Sequence, residues 1–448
     1  MPKKKTALTI EERLQQALVP AEEQPYEVPE NWVWVRLGAV CYASKEKSND
    51  FSNDIKYIGL EHLEKDKGIV GFSSADKVKS TKNAFKEGQI LYGRLRPYLN
   101  KHDITSFDGV CSTDILVFEV TNLVANVLVD NFFNLPFFIE YVVSNSKGIN
   151  LPRVSEETVL NTTFPLPPLS EQQRIVERIE ELFAKLDEAK ERLQEVADSF
   201  AVRKAAILHK AFTGELTKQW RLENGVSDES WEEKKGEDFF EYVTSGSRGW
   251  AKYYSDKGSI FVRMGNLNHG TIELDFSDIQ YVELPDQVEG QRSKLQKNDI
   301  LISITADVGM IGLVREDMDA YINQHVALAR PKDNLYAEFL AWYFVSDVGL
   351  KQMQNKQRGA TKIGLGLQDI RSIILKIPSL PEQHEIVRLI DALLARERAA
   401  QQAAEQALAS IDLMKKSILA RAFRGELGTN KASEASALEF LKQVLAEN

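Results

Sequence analysis

Three short segments concentrate side chains that read bases and phosphates. "GRLRPYLNKH" (93–102) offers Arg94, Arg96, Tyr98, Asn100 and Lys101 within one strand-to-loop transition. An arginine fork matches the paired acceptors on a guanine edge, and an asparagine amide matches adenine. "TSGSRGWAKYYSDKG" (244–258) places Arg248, Lys252 and Tyr253 in a glycine-broken loop, and "FVRMGNLNHG" (261–270) adds Arg263, Asn266 and Asn268. Arg153, Arg358 and Lys362, close to Gly148 and Gly359, complete the candidate nucleic-acid contact set.

The charge distribution agrees. The net charge is −10, which argues against a uniformly basic coat on a polyanion. Yet residues 85–102 hold Lys86, Arg94, Arg96 and Lys101 against Glu87 alone, and residues 351–376 hold six cations against Asp369 alone. Focused phosphate contact is the implied mode.

Signatures of catalysis are missing. No GxxxxGK[ST] loop occurs, no GxGxxG follows a strand, and no proline-aromatic tetrapeptide of the amino-methyltransferase kind is present. The six histidines form no pair with metal spacing. "ELPDQVEGQR" (283–292) has nuclease-like acids but lacks the lysine that should follow them. Cys41 and Cys111 stand alone, so neither a disulfide framework nor a cysteine zinc site is expected. No catalytic, cofactor-binding or metal-binding residue is assigned. The reading is a binding protein, expected in the cytoplasm, with no membrane-spanning run.

The elements that must position these loops are written twice. "PLPPLSEQQRIVERIEELF" (165–183) aligns with "KIPSLPEQHEIVRLIDALL" (376–394) at an offset of 211 residues. The offset holds unbroken to "ILHKAFTGEL" (207–216) and "ILARAFRGEL" (418–427). Such a period marks duplication of a whole module, not a solenoid. Each copy predicts a capping box, Ser170 with Gln173 and Ser379 with Glu382, and then a long helix ending at a glycine such as Gly214. Apolar residues recur at heptad spacing: Ile175, Ile179, Leu182, Leu186, Ala189, Leu193, Val196 and Phe200 in the first copy. The second runs Ile386, Ile390, Leu393, Glu397, Ala400, Ala404, Ala407, Ile411, Met414 and Ile418, with Glu397 out of character. Neither stripe can be buried alone, so the helices are expected to pair antiparallel about a pseudo-twofold axis. About 43 helical residues would make a rod of about 65 Å.

Between the helices lie two β-rich modules. "IKYIGLEHL", "QILYGRL" and "DILVFEV" in the first have the counterparts "SIFVRMGNL", "DILISIT" and "VALARP" in the second. The expected fold is α+β: two β-rich globular domains joined by two long antiparallel coiled-coil helices in an internal repeat. The expected division is a tail with a short helix (1–25), the first module (26–168), the first spacer helix (169–222), the second module (223–379), the second spacer helix (380–427) and a tail with a short helix (428–448). Similar helices carrying dissimilar modules suggest a fixed spacer with two unlike readers. The alternative is a coiled-coil protein-binding scaffold without DNA specificity.

From about residue 26 to residue 427 the chain resembles the specificity (S) subunits of type I restriction-modification systems. The resemblance is carried by the doubled "PxLxEQ" (Pro167–Gln172, Pro378–Gln383), the helices behind it, the endings "KAFTGEL" and "RAFRGEL", "PENWVWVRLG", and the Gly148 and Gly359 loops. It implies two target recognition domains, each reading half of a split asymmetric sequence in double-stranded DNA. The helices would set the unread spacer and dock two methyltransferase (M) subunits, which two restriction (R) subunits can join. Cofactors would belong to those partners: S-adenosylmethionine for methylation, ATP with Mg²⁺ for restriction.

Overall fold

The computed structural model describes residues 9–49, 51–121, 124–285, 290–358 and 364–447. The chain divides into two compact units, residues 1–193 with 406–448 and residues 194–405.

In the first unit the opening strand β1 (Val33–Arg36) pairs antiparallel with the strand that closes the module, Thr163–Leu166, so the module's chain ends meet. Its main sheet is antiparallel, in the order His102–Ile104, Ile90–Gly93, Ile115–Val120, Cys41–Ala43. The continuous apolar runs in its central strands follow from burial on both faces. Ile90, Tyr92, Leu116 and Phe118 point into one core, under the helices Asn126–Phe133 and Pro136–Ser144. Their neighbours Leu91, Ile115 and Val117 point into another, shared with Ile58, Phe85 and Cys111 of a second sheet of five short strands. A period of two splits one strand between two cores.

The second unit repeats this plan. Glu232–Lys235 pairs with Ile374–Ile377, and the main sheet orders Phe240–Ser245, Val326–Pro331, Ile300–Ser303 and Ile311–Leu313. Ile300, Ile302, Ala327 and Ala329 face one core, while Leu301, Val326 and Leu328 face the other. Even the parallel pair recurs: Lys56–Ile58 beside Gly109–Cys111, and Ser259–Val262 beside Ala320–Ile322. The strand-by-strand match expected between the modules is present.

The first long helix runs Leu169–Asp198 and, after a one-residue break at Ser199, Phe200–Phe212; the second runs unbroken over Leu380–Ala422. Gly214 (φ +81°) and Gly425 (φ +73°) follow their ends in the left-handed region, as a glycine stop requires. Within the first unit Lys415 reaches Asp187 at 2.6 Å and Lys190 reaches Asp412 at 3.9 Å. Within the second, Arg203 reaches Glu397 at 2.8 Å and Thr217, past the end of the first helix, reaches Glu382 at 2.7 Å. Rising numbers on one helix meet falling numbers on the other, so the segments run antiparallel in each unit. Glu397 is therefore no break in the seam: it is half-buried and ion-paired, the kind of polar contact that fixes register.

The seam differs from expectation at Val196, Ala400 and Met414, which are exposed, while Leu208, Leu394 and Leu419 are buried instead. A straight helix drifts from a strict heptad, and the break at Ser199 moves the first stripe further. The capping boxes also fail. Leu169 already begins the first helix, so Ser170 lies inside it and Gln173 bonds Glu177, while the Glu382 carboxylate turns to Thr217 and Arg221.

That burial explains the doubled motif. The Glu171 carboxylate, fully buried, accepts from Thr429 Oγ1 (3.0 Å), Asn430 Nδ2 (2.7 Å) and the Trp32 indole N–H (2.7 Å). Glu382 Oε1 accepts from Thr217 Oγ1 (2.7 Å) and Arg221 Nη1 (2.7 Å). Gln172 and Gln383 each donate to the carbonyl of the proline before the helix and accept the N–H of Ala125 or Tyr336. The start of each helix is thus clasped to the segment beyond the other helix's end. The endings supply a plug: Phe423 packs on Phe132 (5.8 Å between ring centres), and Phe212 on Phe339 and Tyr343 (both 5.4 Å).

The terminal segments left unplaced by the sequence pack on each other. Ile10–Ala17 lies against Ala437–Glu447, with Arg13 Nη1 donating to the Leu445 carbonyl at 3.2 Å. No single helix among the described residues is long and apolar enough to cross a membrane.

Candidate nucleic-acid interface

Where the strand Ile90–Gly93 ends, the chain enters Arg94–Arg96 and a single 3₁₀ turn, Pro97–Leu99. Arg96 (φ +54°) and Asn100 (φ +42°) bracket this turn in the left-handed region, a conformation that costs about 1–3 kcal/mol per non-glycine residue. The loop is held by backbone bonds. The Arg96 N–H donates to Pro152 O (2.7 Å), Val154 N–H to Arg94 O (3.0 Å), and Arg94 N–H to Asp114 O (2.9 Å). A hairpin, Lys147 to Arg153, docks there through its Leu95–Arg153 bridge.

The second unit repeats the device. Ala306 (φ +62°) is the left-handed residue after Ile300–Ser303, Thr305 bridges Gly364, and Arg358 bridges Gly364 as Lys147 bridges Arg153. The backbone is shared but the side chains are not: Arg96 corresponds to Ala306, Lys147 to Arg358 and Arg153 to Gly364.

In the first unit the structure brings together Arg94, Arg96 and Arg153. Arg96 is exposed, Arg94 is half-buried with its Nε lacking a partner among the described residues, and Arg153 pairs with Asp114 (2.9 Å). Tyr98 is half-exposed on the turn, and Lys101 Nζ donates to the Leu60 carbonyl at 2.9 Å. Asn100 points inward. Its amide donates to Phe133 O (3.0 Å) and Asn134 Oδ1 (3.3 Å), beside His102. Burial pushes the His102 imidazole pKa down, but the Asp130 carboxylate 2.7 Å from Nδ1, with the Asn134 bond, more than offsets it; the net shift is upward. Asn100 and His102 support the loop from beneath.

In the second unit Arg358 ion-pairs with Asp369 (2.9 Å) yet stays largely exposed, near Thr305, whose Oγ1 lies 2.6 Å from His325 Nδ1. Arg248 is exposed and follows Ser247, which bridges Asn323. Asn268 is exposed beside Ile311, and its neighbour His269 meets Asp307 at 2.8 Å. Three further candidates are engaged with local partners. Lys252 caps the Tyr253 ring (4.9 Å), Tyr253 packs on the Trp250 cluster, and Arg263 pairs with Asp278 (2.8 Å). Asn266 is buried, accepting the Arg263 N–H and donating to Asp275 O and Asp278 O, the turn-closing role that His62 takes in the first unit. Lys362 and Gly359 lie outside the described residues.

Asp114, Lys147, Thr305, Gln324 and His325 belong to these surfaces but were not singled out from the sequence. The strand-end position shared with Arg94 and Arg96 was the available signal for Thr305. Among the described residues no group of three or more His, Cys, Asp or Glu side chains could hold a metal ion.

A family model described as the type I restriction modification DNA specificity domain matches residues 29–198 and again 228–407. The chain belongs to this family. As a specificity-type chain it is a non-catalytic component. It is 29% identical over 334 residues to the type I restriction enzyme EcoBI specificity subunit of Escherichia coli, covering 70% of each chain. It is 25% identical over 458 residues to the EcoKI specificity subunit of Escherichia coli strain K12, covering 94% of this chain and 96% of that one. The HsdS subunit from Thermoanaerobacter tengcongensis shares the fold, with a TM-score of 0.67 at 22% identity over 90% of this chain and 99% of that one. The two family matches each hold one β-rich module and most of the helix that follows it.

Proposed function

We propose that the two modules are target recognition domains, each reading one half of a bipartite, asymmetric sequence in double-stranded DNA. One observation carries this reading: both modules present the same left-handed loop held by the same pair of backbone bridges, but with different side chains at Arg96 and Ala306, Lys147 and Arg358, Arg153 and Gly364. A common backbone with unlike chemistry is what two readers of different half-sites require. Arg94, Arg96, Tyr98, Lys101 and Arg153 act in the first domain, and Arg248, Asn268 and Arg358 with Lys362 in the second. Lys252, Tyr253 and Arg263 line the outer part of the second surface, while Asn100 and Asn266 act by holding loops.

The long helices set the unread spacer and dock two methyltransferase subunits, which restriction subunits can join. Val202 (70% exposed) and Leu413 (66% exposed) are apolar positions on these helices open to such partners. Methyl transfer with S-adenosylmethionine, and ATP- and Mg²⁺-dependent restriction, belong to the partners. The test is methylation mapping of genomic DNA modified by the chain together with its methyltransferase subunits. A split target with two unlike halves supports the reading, and a contiguous or palindromic target overturns it.

A further inference from the structure

The hairpin docked on the first domain's loop ends in an apolar tip that no described residue covers. Ile149 is 100% exposed and Leu151 45%, with Tyr98 48% exposed on the neighbouring turn. The support beneath is rigid. Lys147 and Arg153 exchange both backbone hydrogen bonds (2.9 and 2.8 Å), and Gly148 makes the turn at φ +107°. Pro152 O accepts from Arg96, and Arg153 is anchored on Asp114. A well-held scaffold therefore presents a bare isoleucine.

The rim decides what covers it. Arg96 and Lys147 are exposed and have no carboxylate partner among the described residues, and Asp114, the one acid in 94–101, 112–114 and 147–153, is already neutralised by Arg153. An apolar point ringed by unpaired cations complements a polyanion with an apolar stacked interior. Proteins that bend DNA use isoleucine and leucine in this way, as wedges against base steps, with cations on the flanking phosphates. We infer that Ile149 enters a groove of the DNA held by the first domain and presses between two base pairs as an apolar wedge. Leu151 stands behind it, and Arg96 and Lys147 contact the adjacent phosphates. This rests on the reading of the first domain as a DNA reader.

The test uses the chain assembled with its methyltransferase subunits and duplexes carrying 2-aminopurine at successive positions of the mapped target, excluding the methylated base. The expected result is a several-fold fluorescence rise at one step in the first domain's half-site. Ile149→Ala should abolish that rise and weaken binding about tenfold without changing the salt slope. Lys147→Ala should keep the rise and lower the slope by about one. The inference is overturned if Ile149→Ala binds within about twofold of the parent, on the same scale of affinity, and keeps the rise. It is equally overturned if that variant fails to assemble with the methyltransferase subunits, which would make the tip a protein contact. If the parent complex shows no sequence-selective binding at all, the broader reading fails, not the wedge alone.

Discussion

Glu171 and Thr429 stand 258 positions apart in the chain and 3.0 Å apart in the fold, joined by a buried hydrogen bond. The counterpart in the other unit joins Glu382 to Thr217 at 2.7 Å. The repeated glutamate is a clasp: it holds the start of one long helix to the chain leaving the end of the other. A desolvated carboxylate tolerates this because donors reach it, on both oxygens of Glu171 and on Oε1 of Glu382. The doubled "EQ" and the segments just past the doubled "GEL" are two sides of one joint.

The clasp should be costly to break from one side. Arg221 is buried, with Nη1 on Glu382 and Nη2 on Gly214 O (both 2.7 Å). Glu382→Ala leaves that guanidinium without its main counter-charge and should cost about 3 kcal/mol, visible as a lowered urea midpoint. Combining it with Arg221→Met should recover most of the loss. A single-variant loss within about 1 kcal/mol would show that the pair acts as a surface ion pair.

Acidity should favour the first recognition domain. The His102 pKa is raised in the fold, chiefly by Asp130 acting against burial. The protonated ring therefore stabilises the fold fully below the unfolded histidine value of about 6.5, and that contribution disappears as pH rises through the folded value. Thermal unfolding of the chain should show a higher midpoint at about pH 6 than at about pH 8.5. His102→Gln should reduce the difference, and an unchanged difference would remove His102 as its source.

The helices act as a ruler in this account. Four residues inserted after Glu191, matched by four after Ile411, lengthen each helix by about 6 Å. The mapped target should then gain unread base pairs between unchanged half-sites. Methylation at the parental spacing would contradict the ruler.

Much of this was legible in the sequence, for physical reasons. The helices declared themselves because a long apolar stripe must be covered, and the 211-residue offset named the cover. The strand order could be matched because strands buried on both faces read as continuous apolar runs. The clasp was hidden, since nothing local to Glu171 shows a partner 258 residues away. By residue type alone, Asn100 and Asn266 carry amides suited to reading a base. An asparagine amide serves a turn equally well, and Asn100, with φ +42° at the end of a Pro-initiated turn, was the place to expect that. Ile149 is not legible in the sequence because an isolated apolar residue in a loop carries no pattern; only its complete exposure on a fixed hairpin makes it informative.

Binding-site selection with the assembled complex carrying Arg96→Ala tests the division of labour most directly. Arg96 lies on the exposed loop of the first domain, where the second has Ala306. The account predicts relaxed sequence preference in one half-site, with the other half and the spacing unchanged. Equal loss of preference in both halves would contradict it.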